Sequence, residues 1–77
     1  MAYGSNKRTN QPNMSDFKSR LLQEQQELNE RIDKLEDFIN DSPAFEKIPH
    51  AQQNLLVIQL PAMKAYAEVL NQRVALL

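Results

Sequence analysis

A chain of 77 residues can hold one small domain, and its composition narrows the class of protein further. Cysteine is absent, which excludes a disulfide framework and a thiolate metal site, and a single glycine argues against a loop-rich or all-β fold. The formal net charge of −1 excludes a broad basic surface, so binding of polymeric nucleic acid by charge is not expected.

The N-terminal segment, residues 1–14, is polar and contains three Asn, one Gln and one Pro. This composition predicts a flexible tail. Its opening run, MAYGSNKRTNQPN, lacks the apolar core of a secretory signal. The rest of the chain has no run of about 18 uncharged apolar residues, so a membrane-spanning helix is not expected. These features predict a cytosolic protein.

The segment from Asp16 to about Asn40 has the apolar period of an amphipathic helix. Ser15 stands at the expected N-cap position, and Asp16 places negative charge at the positive end of the helix dipole. The apolar stripe comprises Phe17, Leu21, Leu28, Ile32, Leu35 and Ile39.

Three polar residues interrupt this stripe where an apolar residue is expected; they are Glu24, Gln25 and Gln26. The interruption has two interpretations. It is either a loosely packed or register-setting position in a helix–helix seam, or a polar pocket lined from this helix face.

The run NDSP ends the first helix. Ser42 and Pro43 predict the N-cap and first position of a short turn covering Ala44 to Lys47. Pro49 then begins a second helix, again at an N1-like position, which runs to near Leu77. Residues 15–77 therefore form the predicted folded domain.

The second helix is apolar on two faces. One face carries Leu56, Met63, Tyr66, Leu70 and Val74. The other, which partly overlaps it, carries Leu55, Ile58, Ala62, Val69 and Leu76. Pro61 lies in the middle of this helix. Proline has no backbone N–H to donate to the Val57 carbonyl, which predicts a kink at this point. The helix should continue, because the apolar period resumes after the proline.

Two helices joined by a short turn form an antiparallel hairpin with a single seam. About sixty residues in that shape bury too little apolar area to offset a chain entropy of about 1.5 kcal/mol per residue. The second helix also carries more apolar surface than one partner helix covers. The sequence therefore predicts an all-α helical hairpin that assembles into a homo-oligomer.

Residue patterns typical of enzymes are missing from the sequence. It contains no Gly-rich phosphate loop, no nucleophile motif and no zinc pattern. His50 is the single histidine, and a solvated surface position is its simplest interpretation. Arg73 is either a favourable charge near a helix C-terminus or a phosphate ligand, since its planar fork matches a phosphate. We therefore expect a binding protein without catalytic activity.

Both helices resemble a known family of phage proteins. On the first helix the residues that carry the resemblance are Phe17, Arg20-Leu21, Glu24, Leu28, Leu35 and Phe38-Ile39. On the second they are Phe45, Leu55-Leu56, Gln59, Met63, Tyr66, Val69-Leu70 and Arg73-Val74. The combination L-L-x-x-Q-x-x-x-M-x-x-Y-x-x-x-L-x-x-R is similar to the helical-hairpin domain shared by anti-CBASS and anti-Thoeris sponge proteins.

The resemblance implies a compact hexamer, located in the cytoplasm of the infected bacterial host, that sequesters cyclic oligonucleotide signals without catalysis. Members hold cyclic dinucleotides between protomers, and some hold cyclic trinucleotides in separate pockets on a three-fold axis. Membranes are not among the implied partners. The competing interpretation is a structural or interaction protein, an oligomeric hairpin that binds another protein through its apolar surface.

The resemblance also assigns ligand-binding residues. Arg73 corresponds to a family arginine that contacts the ligand, and Gln25 stands where many members have a lysine beside it. The aromatic residue that stacks on a base corresponds to Phe17 or, through the tail, to Tyr3. Two further cations, Lys18 and Arg20, add positive charge near the dipole end of the first helix.

Overall fold

A computed structural model describes residues 14–77 as two long helices joined by a short helical turn. Helix α1 spans Met14–Asp41, a 3-10 helix spans Pro43–Lys47, and helix α2 spans His50–Ala75. The two long helices pack against each other in antiparallel orientation, which confirms the predicted hairpin. Tyr3 and the rest of the predicted tail before Met14 lie outside the described residues.

Helix α1 begins earlier than the apolar pattern indicates. Its first residue is Met14, so the prediction of Ser15 as N-cap is wrong, and Ser15 lies inside the helix. Polar residues of the first turn need no contact with another helix, so the apolar period cannot mark where the helix starts. Asp16 does lie in the first turn, as predicted.

The turn between the helices forms as predicted. The Ser42 hydroxyl accepts a hydrogen bond from the Ala44 backbone N–H at 3.2 Å, and Pro43 occupies the first helical position. The Phe38 and Phe45 rings meet edge to face, with centroids 5.7 Å apart and an interplanar angle of 87°. This aromatic contact attaches the turn to the end of α1.

Helix α2 begins one residue later than predicted and ends before Leu77. Pro49 is its N-cap rather than its first residue, and its carbonyl accepts hydrogen bonds from Gln52 and Gln53 at 2.9 and 3.0 Å. Its ψ angle of 144° is extended, which explains why the helical turn starts only at the next residue. At the other end, the Leu76 N–H donates to the Arg73 carbonyl at 3.2 Å.

The seam between the helices is a narrow apolar core. Its buried side chains are Leu21, Leu28, Ile32, Ala67 and Leu70, with Leu60, Met63 and Val74 packed against them. On α2 these positions follow alternating spacings of three and four residues, which is the pattern of helices packed as a coiled coil. Tyr66, predicted on this face, is instead 44% exposed, and Ala67 takes its place in the core.

A second apolar stripe runs along α2 on roughly the side opposite the seam. It comprises Leu55, Ile58, Ala62, Ala65, Val69 and Leu76, and we call it the outer stripe. Its exposure is high, at 59% for Leu55, 64% for Ile58 and 54% for Val69. Apart from Ala65, these are the residues of the second apolar surface that the sequence predicts. Neither long helix, within the part of the chain described, is apolar enough over its length to cross a membrane.

Charged groups add one link across the seam. Lys64 Nζ lies 2.8 Å from Glu36 Oε2, with side-chain exposures of 50% and 40%. An ion pair this exposed contributes at most about 1 kcal/mol, because water screens it. Apolar packing therefore holds the two helices together.

Pro61 lies on an exposed part of α2, and the helix continues on both sides of it, as predicted. Replacing it with alanine restores the N–H that can donate to the Val57 carbonyl and removes the ring clash. We expect Pro61→Ala to stabilise the protein by up to about 3 kcal/mol, measured by urea denaturation at fixed protein concentration. A loss of stability instead would mean that a proline-induced bend is needed for packing.

Candidate ligand-binding surface

Two of the predicted site residues meet at the open end of the hairpin. The Arg73 Cζ atom lies 5.9 Å from the centroid of the Phe17 ring, so a residue of the first turn of α1 contacts one of the last turn of α2. At an exposed position such a cation–π contact is worth about 0.5–1 kcal/mol. It holds the guanidinium in place while the N–H groups at its edge stay available to an anion.

Arg20 lies on the same side of the hairpin as this pair. It follows Phe17 by three residues, a spacing at which side chains are neighbours on a helix surface. Arg20 and Arg73 are both exposed. Two guanidinium groups and one aromatic ring therefore share what we call the arginine side of the hairpin.

Gln25 has a partner that the sequence analysis did not identify. Its Nε2 donates to the Asn71 Oδ1 at 2.7 Å, across the seam between α1 and α2. Gln25 is half-buried and Asn71 is exposed. The polar interruption of the α1 stripe thus faces a polar residue on α2, and the two form an amide pair rather than a pocket within the chain.

The amide pair and the arginine cluster lie on opposite sides of the hairpin. Asn71 and Arg73 are two residues apart on α2, so their side chains point about 200° apart around the helix axis. Leu70, with 0% exposure, faces α1 between them. Lys18 precedes Gln25 by seven residues, two helical turns, so it lies on the face of the amide pair. We call that face the amide side.

The structure therefore divides the predicted site residues into two groups. Arg73, Phe17 and Arg20 come together on the arginine side, and Gln25 and Lys18 share the amide side with Asn71. Asn71 was not among the predicted site residues, because its pairing with Gln25 depends on how the two helices align across the turn.

Tyr66, predicted on the seam face of α2, is exposed on the arginine side instead. It precedes Arg73 by seven residues and therefore lies on the same face of α2, with 44% exposure. Its ring adds aromatic surface about two turns from the guanidinium. The arginine side thus extends along α2 beyond Phe17.

The chemistry available on this surface is that of a binding site. Residues 14–77 enclose no pocket, so these side chains line open faces. Within the same residues, no cluster of three or more His, Asp or Glu side chains is placed to hold a metal ion. His50 is exposed at the first position of α2. Guanidinium, amide and aromatic groups are suited to hydrogen bonding and stacking with an anionic, planar ligand.

Comparison with known proteins supports one family. Searches among curated proteins and among solved structures find no significant match to the chain. The model of the Sequestin family matches residues 15–76, which includes nearly all of α1 and all of the turn and of α2. The chain therefore belongs to the Sequestin family.

Proposed function

We propose that this protein is a non-enzymatic sponge that binds cyclic oligonucleotide second messengers made by the bacterial host. By sequestering them in the cytoplasm of the infected cell, it blocks CBASS-type antiphage immunity. Membership of a family named for sequestration supports this role. The observation that carries it is the Arg73 guanidinium held against the Phe17 ring, with Arg20 on the same side.

The chemistry of a cyclic dinucleotide matches this side of the hairpin. The ligand carries two negatively charged phosphates and two flat bases. Arg73 and Arg20 each offer a planar set of N–H donors that can hold phosphate oxygens in pairs. The Phe17 ring offers a stacking surface worth about 1–3 kcal/mol per base. Cyclic trinucleotides carry the same groups and belong to the same ligand class.

The outer stripe supports assembly into a homo-oligomer, with a hexamer as the proposed state. Leu55, Ile58 and Val69 remain more than half exposed in the single hairpin, and a second copy covers such a stripe by packing its own against it. The small Ala62 and Ala65 at its centre allow two helices to approach closely. Symmetry then repeats each Arg73 around the assembly.

The position of the two polar groups supports a site between copies. Because Asn71 and Arg73 point to opposite sides of one hairpin, one compact ligand cannot touch both residues of the same copy. A ligand that contacts both groups lies, in this proposal, between the arginine side of one copy and the amide side of another. Oligomerisation and binding are therefore coupled in this proposal.

Sequestration needs only tight binding in sufficient amount. A sponge that binds the messenger more tightly than the host effector does, and that outnumbers it, keeps the free messenger below the concentration at which the effector responds. No bond is made or broken in the ligand. Each bound messenger occupies a binding site, so the amount of messenger sequestered is limited by the amount of protein.

The second candidate is an interaction protein that binds another protein through the outer stripe, and the exposure of that stripe favours it. A thermal-shift panel of cyclic dinucleotides and trinucleotides separates the two functions. A ligand that binds only the folded state raises the melting temperature by mass action. We expect at least one cyclic oligonucleotide to do so, and the absence of any shift across the panel would favour the protein partner.

Removing the Arg73 guanidinium should weaken ligand binding without disrupting the fold. A lost charge-assisted hydrogen bond costs about 1.5–3 kcal/mol, which corresponds to roughly tenfold or more in Kd. We expect Arg73→Ala to show this loss for cyclic dinucleotide in titration calorimetry, with the oligomeric state unchanged by light scattering. Lys47→Ala removes a positive charge from an exposed position of the 3-10 turn, at the other end of the hairpin, and serves as the charge-matched control. Equal affinities for the two variants would exclude Arg73 from the site.

A charge placed in the outer stripe should dissociate the oligomer. Ile58→Asp buries a carboxylate between apolar side chains, which costs several kcal/mol when the charge has no partner. Val57→Asp is the control, because Val57 is also exposed, at 52%, but points about 100° away from Ile58 around the helix. Light scattering at micromolar concentration should show a smaller species only for Ile58→Asp. The same mass for both variants would mean that copies associate through another face.

A further inference from the structure

Glu24 is a half-buried carboxylate that neither the fold nor the proposed phosphate contacts explain. It lies three residues after the buried Leu21 and four before the buried Leu28, on the opposite edge of the seam from Gln25. It is the first of the three polar residues that interrupt the apolar stripe of α1. An apolar side chain here would stabilise the hairpin more, because removing a carboxylate from water costs free energy when it gains no partner.

The Glu24 carboxylate has no partner within residues 14–77. No ion pair or hydrogen bond engages it in that part of the chain. Several other glutamates on α1 differ in this respect. Glu27, Glu30 and Glu36 each accept a hydrogen bond from a neighbouring side chain, and Glu36 is half-buried as well. Both oxygens of Glu24 are therefore available to a ligand.

Glu24 belongs to the arginine side of the hairpin. It follows Arg20 by four residues and Phe17 by seven, so the three share one face of α1. The contact between Phe17 and Arg73 fixes how the two antiparallel helices align on this side. Two helical turns further along each helix from that contact lie Glu24 and Tyr66. A carboxylate therefore lies among the cationic and aromatic groups proposed to bind the ligand.

A carboxylate repels the phosphates of an anionic ligand, so its contact on this side must be with another group. The bases supply one. Guanine carries two adjacent donors, N1–H and N2–H, on its Watson–Crick edge, and a carboxylate accepts both at once. Adenine and cytosine each place a ring acceptor beside the amino group, and uracil has one N–H between two carbonyls. Of these four bases, only guanine offers two adjacent donors to a carboxylate.

We infer that Glu24 reads the Watson–Crick edge of guanine, so that the arginine side selects cyclic dinucleotides that contain guanine. This inference rests on the proposed function and names the base that the site prefers. Glu24 lies about 10 Å from Phe17 along α1, and side chains of a helix lean towards its N-terminus. A base stacked on the Phe17 ring can therefore direct its donor edge at the carboxylate, while Arg20 and Arg73 hold the phosphates.

Glu24→Gln tests the role of the carboxylate at almost unchanged side-chain size. A side-chain amide complements the O6/N1–H edge of guanine as well as an edge of adenine, so it selects neither purine. The variant also loses a negative charge, which strengthens binding of both anionic ligands alike. The measurement is therefore the ratio of the Kd values for cyclic di-AMP and cyclic di-GMP, obtained by calorimetry on the full chain.

We expect the native protein to bind cyclic di-GMP about tenfold more tightly than cyclic di-AMP, and Glu24→Gln to lose most of this preference. Glu46→Gln removes the same charge from an exposed position of the 3-10 turn, at the other end of the hairpin. It is the matched control and should keep the native ratio.

A change in the ligand tests the same contact without altering the protein. Cyclic di-IMP lacks the 2-amino groups of cyclic di-GMP and is otherwise identical to it, so it keeps N1–H and loses N2–H. The native protein should bind it about tenfold more weakly than cyclic di-GMP, because a hydrogen bond to a charged group is lost. Glu24→Gln, which does not need N2–H, should bind the two ligands almost equally.

The outcomes that contradict the inference are distinguishable. Equal affinity of the native protein for cyclic di-GMP and cyclic di-IMP, or a preference for cyclic di-AMP, would overturn the reading of guanine and leave the proposed function intact. An unchanged preference in Glu24→Gln would exclude Glu24 as the residue that selects the base. Failure of the native protein to bind any of the three ligands would overturn this inference together with the proposed binding of cyclic dinucleotides.

Discussion

Apolar packing along a single seam is the constraint on which the rest of the structure depends. Two helices have one line of contact, and here it buries five side chains, with Leu70 fully enclosed. Helix α2 is apolar on a second face that this seam cannot cover. One chain therefore buries only part of its apolar surface. We propose that further copies of the protein cover the rest.

The same seam sorts the polar residues around it. Successive residues of a helix turn by about 100°, so the residues before and after a core position point to different faces of the hairpin. Asn71 follows the core residue Leu70, and Arg73 precedes Val74, which packs against the core. Arg73 consequently reaches Phe17 on one side, and Asn71 reaches Gln25 on the other. The Arg73 guanidinium and the Phe17 ring are thereby separated from the amide pair, so one hairpin offers two chemically different surfaces.

The sequence predicted the fold well, because α1 has one clear apolar stripe and the turn carries strong capping signals at Ser42 and Pro43. It assigned the faces of α2 less well. A helix that is apolar on two sides has no single period from which its seam can be read, and Tyr66 was placed where Ala67 packs. Which α2 residue meets Gln25 depends on how the helices align across the turn, a long-range property that local patterns do not contain. Asn71 was missed for that reason.

The antiparallel arrangement has a practical consequence for labelling the molecule. The chain enters α1 and leaves α2 at the same end of the hairpin, beside the contact between Arg73 and Phe17. A fluorophore, affinity tag or surface linker attached near the start of α1 or the end of α2 would crowd that contact. The 3-10 turn at Pro43–Lys47 lies at the other end of the hairpin, and its Glu46 is exposed. Attachment there leaves both faces of the hairpin open.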